Sequence, residues 1–434
     1  MKQVRNRPNV ILIITHDTGD YFGCYKHDIE SPNIDKLATN GVLFINHFCS
    51  APQCSPSRGS IMTGKMPHSN GLMGLVNRGW FLPESNQTIP KLLGKAGYST
   101  HLIGLQHEHD DPKALGYQNI SDRETFPISD DVIPSAIEFL QDVEEGKISQ
   151  PFFCSVGFFD THRPYIYPET VKKTPIDAVN VPSYLPDTPE VRKDIADFQT
   201  AIKHVDKNIG KILDYLESSS FASNTIVIFT VDHGWAMPKA KCTLYDSGIK
   251  TALIMYWPGK IEGGRGYPQL LSNIDLLPTI LDIVGINIPK EIEGKSFKSL
   301  LFDEEYKERE NIFAELTYHD CYNPMRAIRT KKWKYIKNFE ILPTRFEIPI
   351  GFISTETTEI FIREHPEYNT PRIEEEFYDL ESDPNELVNL AGNSNYSEIM
   401  KKLKEDLMNW LRKTKDPILS GKVDPPENSM DKNS

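Results

Sequence analysis

Two apolar patterns divide the chain. Val10-Ile11-Leu12-Ile13-Ile14 is an unbroken, mostly β-branched run, the mark of a strand buried on both faces of a parallel sheet. Thr100 to Gly104, Phe152 to Phe158, Thr225 to Thr230 and Ala252 to Tyr256 read as further strands. Helical spacing lies between them. Ser31-Pro32 opens a helix through Leu37, with Ser31 as N-cap and proline in the first turn. Gln87 to Ala96 gives another helix, stopped by Gly97. Thr188-Pro189 opens a long amphipathic helix, on which Ile195, Phe198, Ile202, Val205, Ile209, Ile212, Leu213 and Leu216 share one face. This alternation predicts an α/β fold with a large, mostly parallel sheet between helices. After about residue 305 the pattern shortens. Ile312 to Leu316, Met325 to Thr330, Trp333 to Asn338 and Phe377 to Leu380 are strands separated by turns, and a helix runs from about Ser397 to Leu411. These predict a smaller C-terminal antiparallel sheet carrying one helix. The expected domains are 1–305 and 306–434, with 340–375 as a long surface loop.

Composition narrows the partners. The 434 residues are 39% hydrophobic and 25% charged, enough for a large core. The 31 prolines and 26 glycines are spread out, which implies many loops rather than one disordered tract. The net charge is −13 with no basic run, which argues against a nucleic-acid face. An acidic chain repels long polyanions, so an anionic substrate needs a locally positive pocket, and a short ligand suits it best. The apolar run at Val10 is too short for a signal or membrane-spanning segment. A cytoplasmic protein, or one whose leader has been trimmed, is the expectation, with no membrane partner. Cys24, Cys49, Cys54, Cys154, Cys242 and Cys321 form no C-x-x-C pair and are expected as reduced thiols.

The polar clusters fall at the C-terminal ends of predicted strands, where sites assemble in open α/β sheets. Thr15-His16-Asp17 follows the first strand, and Asp232-His233-Gly234 follows the strand ending at Thr230. A lone strand-end aspartate is more often a cap or turn. Two of them near Cys54 point to a shared divalent cation, and two imidazoles would also admit a softer ion such as manganese. Asp160-Thr161-His162-Arg163-Pro164 offers His162, a residue type suited to protonate a leaving group near neutral pH. Ile103 to His109 offers His107. Lys241 and Lys250 are the nearby cations.

Cys54-Ser55-Pro56-Ser57-Arg58, continuing to Thr63-Gly64-Lys65 and Pro67-His68, is similar to the maturation signature of type I sulfatases. The resemblance extends over about residues 8–415 and implies an alkaline-phosphatase-like sandwich. It implies that a formylglycine-generating maturation enzyme oxidises Cys54 to an aldehyde whose hydrate attacks sulfur. Arg58 and His107 would then orient the diol, Lys241 would neutralise the sulfuryl oxygens, and His162 would protonate the leaving amine or alcohol. Calcium would be held by His16, Asp17, the oxidised Cys54, Asp232 and His233. The chain departs from the family pattern at His16, which replaces the first of two adjacent aspartates, and at Leu105, which replaces a lysine. Val181 to Pro189, Thr161-His162-Arg163 and Asn323 to Arg329 resemble the heparan N-sulfatase branch, while Tyr378 to Glu386 is shared more widely. That branch implies substrate contacts at His319, Asp320 and Arg326. The expected activity is removal of the N-sulfate of glucosamine in heparin or heparan sulfate fragments. An O-sulfatase on another glycan, a phosphonate or phosphodiester hydrolase of the same superfamily, and a non-catalytic sulfoglycan-binding protein with unmodified Cys54 remain open.

Overall fold

The computed structural model describes residues 7–121 and 126–433. Its larger sheet contains β1 (Asn9–Thr15), β2 (Val42–Phe48), β3 (Ser99–Gly104), β4 (Asn119–Ser121), β5 (Phe152–Gly157), β6 (Thr225–Val231), β7 (Leu253–Tyr256) and β8 (Arg265–Ser272). Their order is β4-β3-β5-β1-β6-β7-β2-β8. β1 lies parallel between β5 and β6 and is buried at all seven positions, as its unbroken apolar run predicts. β7 runs antiparallel to both neighbours, so β2 and β8 regain the direction of β1. The ends of β1, β2, β3, β5 and β6 therefore open on one side of the sheet.

β2, β4 and β8 are not predicted from the sequence. β2 is only partly buried and is interrupted by polar Asn46 and His47, β4 is three residues long, and β8 carries Pro268. Proline is tolerated there because β8 is an edge strand.

The second sheet is antiparallel, in the order β12-β11-β10-β9, from β9 (Ile312–Tyr318), β10 (Tyr322–Arg329), β11 (Trp333–Asn338) and β12 (Glu375–Asp379). The helix Ser397–Thr414 packs Leu403, Leu407 and Leu411 against Ile328, Tyr335 and Phe377 of this sheet. β9 also ties the second sheet to the loops before and after the helix Cys54–Thr63: Glu315 N donates to Ser50 O at 2.8 Å and Tyr318 N donates to Met73 O at 3.1 Å.

Two local expectations change. Ser31 precedes the helix Pro32–Asn40, but its hydroxyl accepts from Gly23 N and donates to Asp35 rather than capping. Asp206, on the helix Pro189–Ser218, takes the free Asn33 and Ile34 amides instead, at 3.1 and 2.8 Å. The cap is tertiary, so no local motif reports it. Residues 340–375 are not a bare loop. They hold the helices Ile350–Ile353 and Glu356–Glu364, which bury Phe352, Ile360 and Phe361. Glu356–Glu364 packs on Pro189–Ser218, and Thr357 Oγ1 donates to Asp194 Oδ2 there at 2.5 Å.

Candidate active site

The turns after β1 and β6 bring the acidic residues together. Asp17 has φ 46, a left-handed conformation that costs a non-glycine residue about 1–3 kcal/mol. Its amide donates to Asp232 Oδ1 at 2.9 Å, which ties the two strand ends. His233 Nε2 lies 2.9 Å from Asp17 Oδ1, and His16 Nδ1 lies 2.7 Å from the same oxygen and 3.6 Å from Asp232 Oδ2. All four residues are fully buried.

Cys54 opens the helix Cys54–Thr63, which is buried along its whole length. The free amides and aligned dipoles at that end favour negative charge. Its Sγ is 3.4 Å from His233 Nε2 and 3.9 Å from Asp17 Oδ1. Ser57 Oγ donates to Asp232 O, and Asn273 Nδ2 holds Ser57 Oγ at 3.0 Å, so the helix is fixed to the β6 turn. One turn on, Arg58 Nε donates to Asp232 Oδ2 at 3.0 Å while its Nη2 finds no hydrogen-bond partner.

The charges balance within this nest. Burial alone would raise Asp17 and Asp232. Lys241, His16 and His233 outweigh it at Asp17, and His16, His233 and Arg58 outweigh it at Asp232, so both carboxyls sit below the usual range. Burial would lower the imidazoles, but the carboxylates and Cys54 carry His16 to about 9 and His233 to about 10. Burial would also raise the Cys54 thiol, yet Lys241, His16 and His233 hold it well below its ordinary value. A nest that keeps two carboxylates and stabilises a thiolate is built around positive charge.

A divalent cation fits this donor set. One atom each from His16, Asp17, Cys54, Asp232 and His233 lie within 4.8 Å of one another. His16 Nε2 is buried with no hydrogen-bond partner. His16 in place of an aspartate exchanges an oxygen ligand for nitrogen, which makes the cage less suited to calcium than an all-oxygen set and opens it to softer ions.

The remaining predicted residues divide. Lys241 Nζ donates to Asp17 Oδ2 at 2.7 Å. The His162 ring centroid is 4.8 Å from that of His16, and its Nε2 is 3.9 Å from Asp17 Oδ2. His162 Nδ1 donates to Arg163 O at 2.5 Å, so Nε2 faces inward without a proton. Burial first, then Lys241, lowers this imidazole to about 3. As it stands here, Nε2 is a proton acceptor facing the nest. His107 stands 6.2 Å from His16, ring to ring, beside a cavity of about 500 Å³ lined in part by Phe81, Leu105 and Phe126. Leu105 is buried and its amide donates to Gly157 O at 3.0 Å. Lys250 pairs with Asp20 at 2.8 Å, outside the nest.

Arg326 does not reach the cleft. It is fully buried on β10, with Nε and Nη2 on Asp416 at 2.6 and 3.0 Å and Nη1 on Leu316 O and Met325 O. With its hydrogen-bonding groups engaged internally, it is a structural residue rather than the substrate contact expected from the sequence. His319 and Asp320 sit in the β9–β10 turn. His319 is buried, and Asp320 Oδ2 accepts from Ile350 N at 2.6 Å.

Arg163 was overlooked. It forms a fork on Asp194, with Nη1 to Oδ1 at 2.8 Å and Nη2 to Oδ2 at 2.6 Å, and thereby holds the loop bearing His162. Its partner is 31 positions away, so no local motif marks the pair.

Comparison with known proteins agrees with this geometry. The Sulfatase family model matches residues 8–286, and the model "N-sulphoglucosamine sulphohydrolase, C-terminal" matches residues 232–348. An ulvan-active sulfatase of Formosa agariphila is 28% identical over 450 residues, covering 93% of this chain and 75% of that protein. Human N-sulphoglucosamine sulphohydrolase is 27% identical over 473 residues, covering 95% and 92%. A solved 2-O GAG sulfatase superposes with a TM-score of 0.73 at 24% identity, covering 97% of this chain and 96% of that one, and shares the alkaline-phosphatase-like fold. With its family model spanning most of the chain and its cysteine-headed helix set against two strand-end aspartates, this protein belongs to the sulfatase family.

Proposed function

We propose that the protein removes the N-sulfate of a glucosamine at the non-reducing end of short heparin or heparan sulfate fragments, using Cys54 matured to formylglycine. The observation that carries this reading is the match of the N-sulphoglucosamine sulphohydrolase C-terminal model to residues 232–348. That span contains Asp232, Lys241, His319 and Asp320.

His16, Asp17, Asp232 and His233, with the matured Cys54, would hold a calcium or manganese ion, which would supply positive charge at the sulfuryl group, and the formylglycine hydrate would supply a nucleophilic diol. The side chains do the rest. Arg58, anchored on Asp232, keeps the end of the Cys54 helix in place. Lys241 offers its ammonium to a sulfate oxygen, charge stabilisation of the kind that dominates such reactions. His107 borders the cavity through which the sugar enters. His162 Nε2 takes a proton from solvent water as the anion arrives and passes it to the departing nitrogen. Sulfamate cleavage needs that proton because an amide anion is a poor leaving group.

An O-sulfate ester on another glycan is the second reading, favoured by the ulvan-active relative at comparable identity. Enzyme matured in its own host should be assayed on N-sulfoglucosamine, O-sulfated monosaccharides, ulvan oligosaccharides, and phosphate mono- and diesters. Sulfate release fastest from N-sulfoglucosamine, falling with oligosaccharide length, supports the first reading. Release only from O-sulfated sugars refutes it in favour of the second.

A further inference from the structure

Cys242 lies one residue beyond Lys241, with φ 64 and its amide donating to Pro52 O at 3.0 Å. A non-glycine residue holds that conformation only where its surroundings enforce it. Its side chain meets His319 of the β9–β10 turn and Glu347 of the segment after β11. All three are buried, and one atom each of Sγ, imidazole nitrogen and carboxylate oxygen lie within 4.8 Å of one another. None of them belongs to the nest around Asp17 and Asp232.

Glu347 is held in place. Oε1 accepts from Asp320 N at 2.9 Å and Oε2 accepts from Asn323 Nδ2 at 2.7 Å, which leaves lone pairs free. His319 is only 5% exposed. Its Nδ1 lies 3.3 Å from Asp320 Oδ2 and 3.5 Å from Glu347 Oε1, yet has no aligned hydrogen-bond partner. Two nitrogen or oxygen ligands on one tetrahedral ion at about 2.0–2.2 Å stand ~3.3–3.6 Å apart. The spacing around Nδ1 is that of ligands sharing an ion.

We propose that Cys242, His319 and Glu347 form a second metal site that takes zinc, with the fourth position filled by water or the Asp320 carboxylate. A thiol, an imidazole and a carboxylate are the ligand types zinc selects, and calcium does not take sulfur. With water in the fourth position, one thiolate, one carboxylate and a neutral imidazole cancel the 2+ charge, as a buried site requires. Binding forms S–Zn and N–Zn bonds and releases to solvent both the Cys242 thiol proton and the proton that Cys242, Asp320 and Glu347 hold on the His319 imidazole against burial. The ion ties the loop that carries Lys241 to the second sheet and to the segment after β11. Closed by Asp320 it is a structural ion, and it lies beside the catalytic nest rather than in it.

The test uses the full-length enzyme, stripped by chelation and reloaded with zinc or cobalt(II), with bound metal per chain and the absorption spectrum recorded. Cobalt should give a thiolate-to-metal charge-transfer band. The band should persist in Cys54→Ala and Asp232→Asn and vanish in Cys242→Ser, with loss of about one metal per chain. Glu347→Gln, which keeps the size of the side chain, should weaken zinc binding about tenfold or more. If Cys242→Ser does not fold, the band in Cys54→Ala and the Glu347→Gln affinity decide. A wild-type protein without the band, a band that survives Cys242→Ser, or one that disappears with Cys54→Ala or Asp232→Asn overturns the proposal.

Discussion

Lys241 Nζ lies 2.7 Å from Asp17 Oδ2 and joins the loop after β6 to the loop after β1. Both groups are buried, Asp17 completely. Replacing Lys241 with Met leaves the Asp17 carboxylate short of a cation, a change that destabilises by about 3–5 kcal/mol when a buried pair is broken. Turnover should fall about 100- to 1,000-fold, the loss expected for one charge-stabilising donor. Added divalent cation should restore part of the stability and little of the activity. Thermal unfolding with and without cation, beside sulfate release, checks both. Unchanged turnover in Lys241→Met would remove this residue from the reaction.

Arg326 is predicted to matter for the fold and not for substrate. Arg326→Met leaves Asp416 without its bidentate partner and should cost about 3–5 kcal/mol. The KM of the folded fraction should not change. A raised KM with wild-type stability would return Arg326 to the substrate site.

Asp194 positions His162 through Arg163. Asp194→Ala frees the Arg163 fork and the Thr357 contact, so the Asp160–Pro164 loop is no longer held. A misplacement of about 1 Å at a reacting group costs on the order of 100-fold. We expect kcat/KM to fall about 10- to 100-fold at temperatures where the variant is folded, and unchanged kinetics would contradict the role.

Acid sensitivity has a separate source. Burial holds His47 at about 3 and His101 at about 4, against 6.5 when free. The unfolded chain takes up these protons as pH falls below 6.5, and the folded chain does not until far lower. Their contribution is therefore complete above that value and lost as pH falls through the window between. At about pH 5 the loss from His47 alone is about 2 kcal/mol. His47→Asn should flatten the acid side of the stability profile measured by denaturant unfolding, and a profile parallel to wild type would refute this.

What the sequence disclosed follows from how local each signal is. β1 is seven residues buried on both faces, so its composition alone declares it. Thr188 accepts from Val191 N as its motif predicts. Cys54, Asp17, Asp232 and Lys241 follow apolar strands or a dense motif, and they converge because parallel strands deliver their ends to one side. Arg326 misled because its substrate role was implied by a family resemblance, and a matching segment does not report that its partner is Asp416, 90 positions away. The Asp206 cap and the Arg163–Asp194 fork depend on tertiary partners and have no counterpart in neighbouring residues, whereas the helix Glu356–Glu364 carries a local start signal, with Thr355 accepting from Thr358 N and Glu356 and Glu359 in its first turn.

On the proposed function, Cys54 acts only after oxidation. The direct measurement is the mass of the Cys54 peptide from enzyme purified in active form from its own host, beside the sulfate release of Cys54→Ala. The account predicts an aldehyde at position 54 in proportion to activity, and no turnover in the variant with metal content and fold retained. Fully active enzyme carrying only thiol at Cys54 would contradict it.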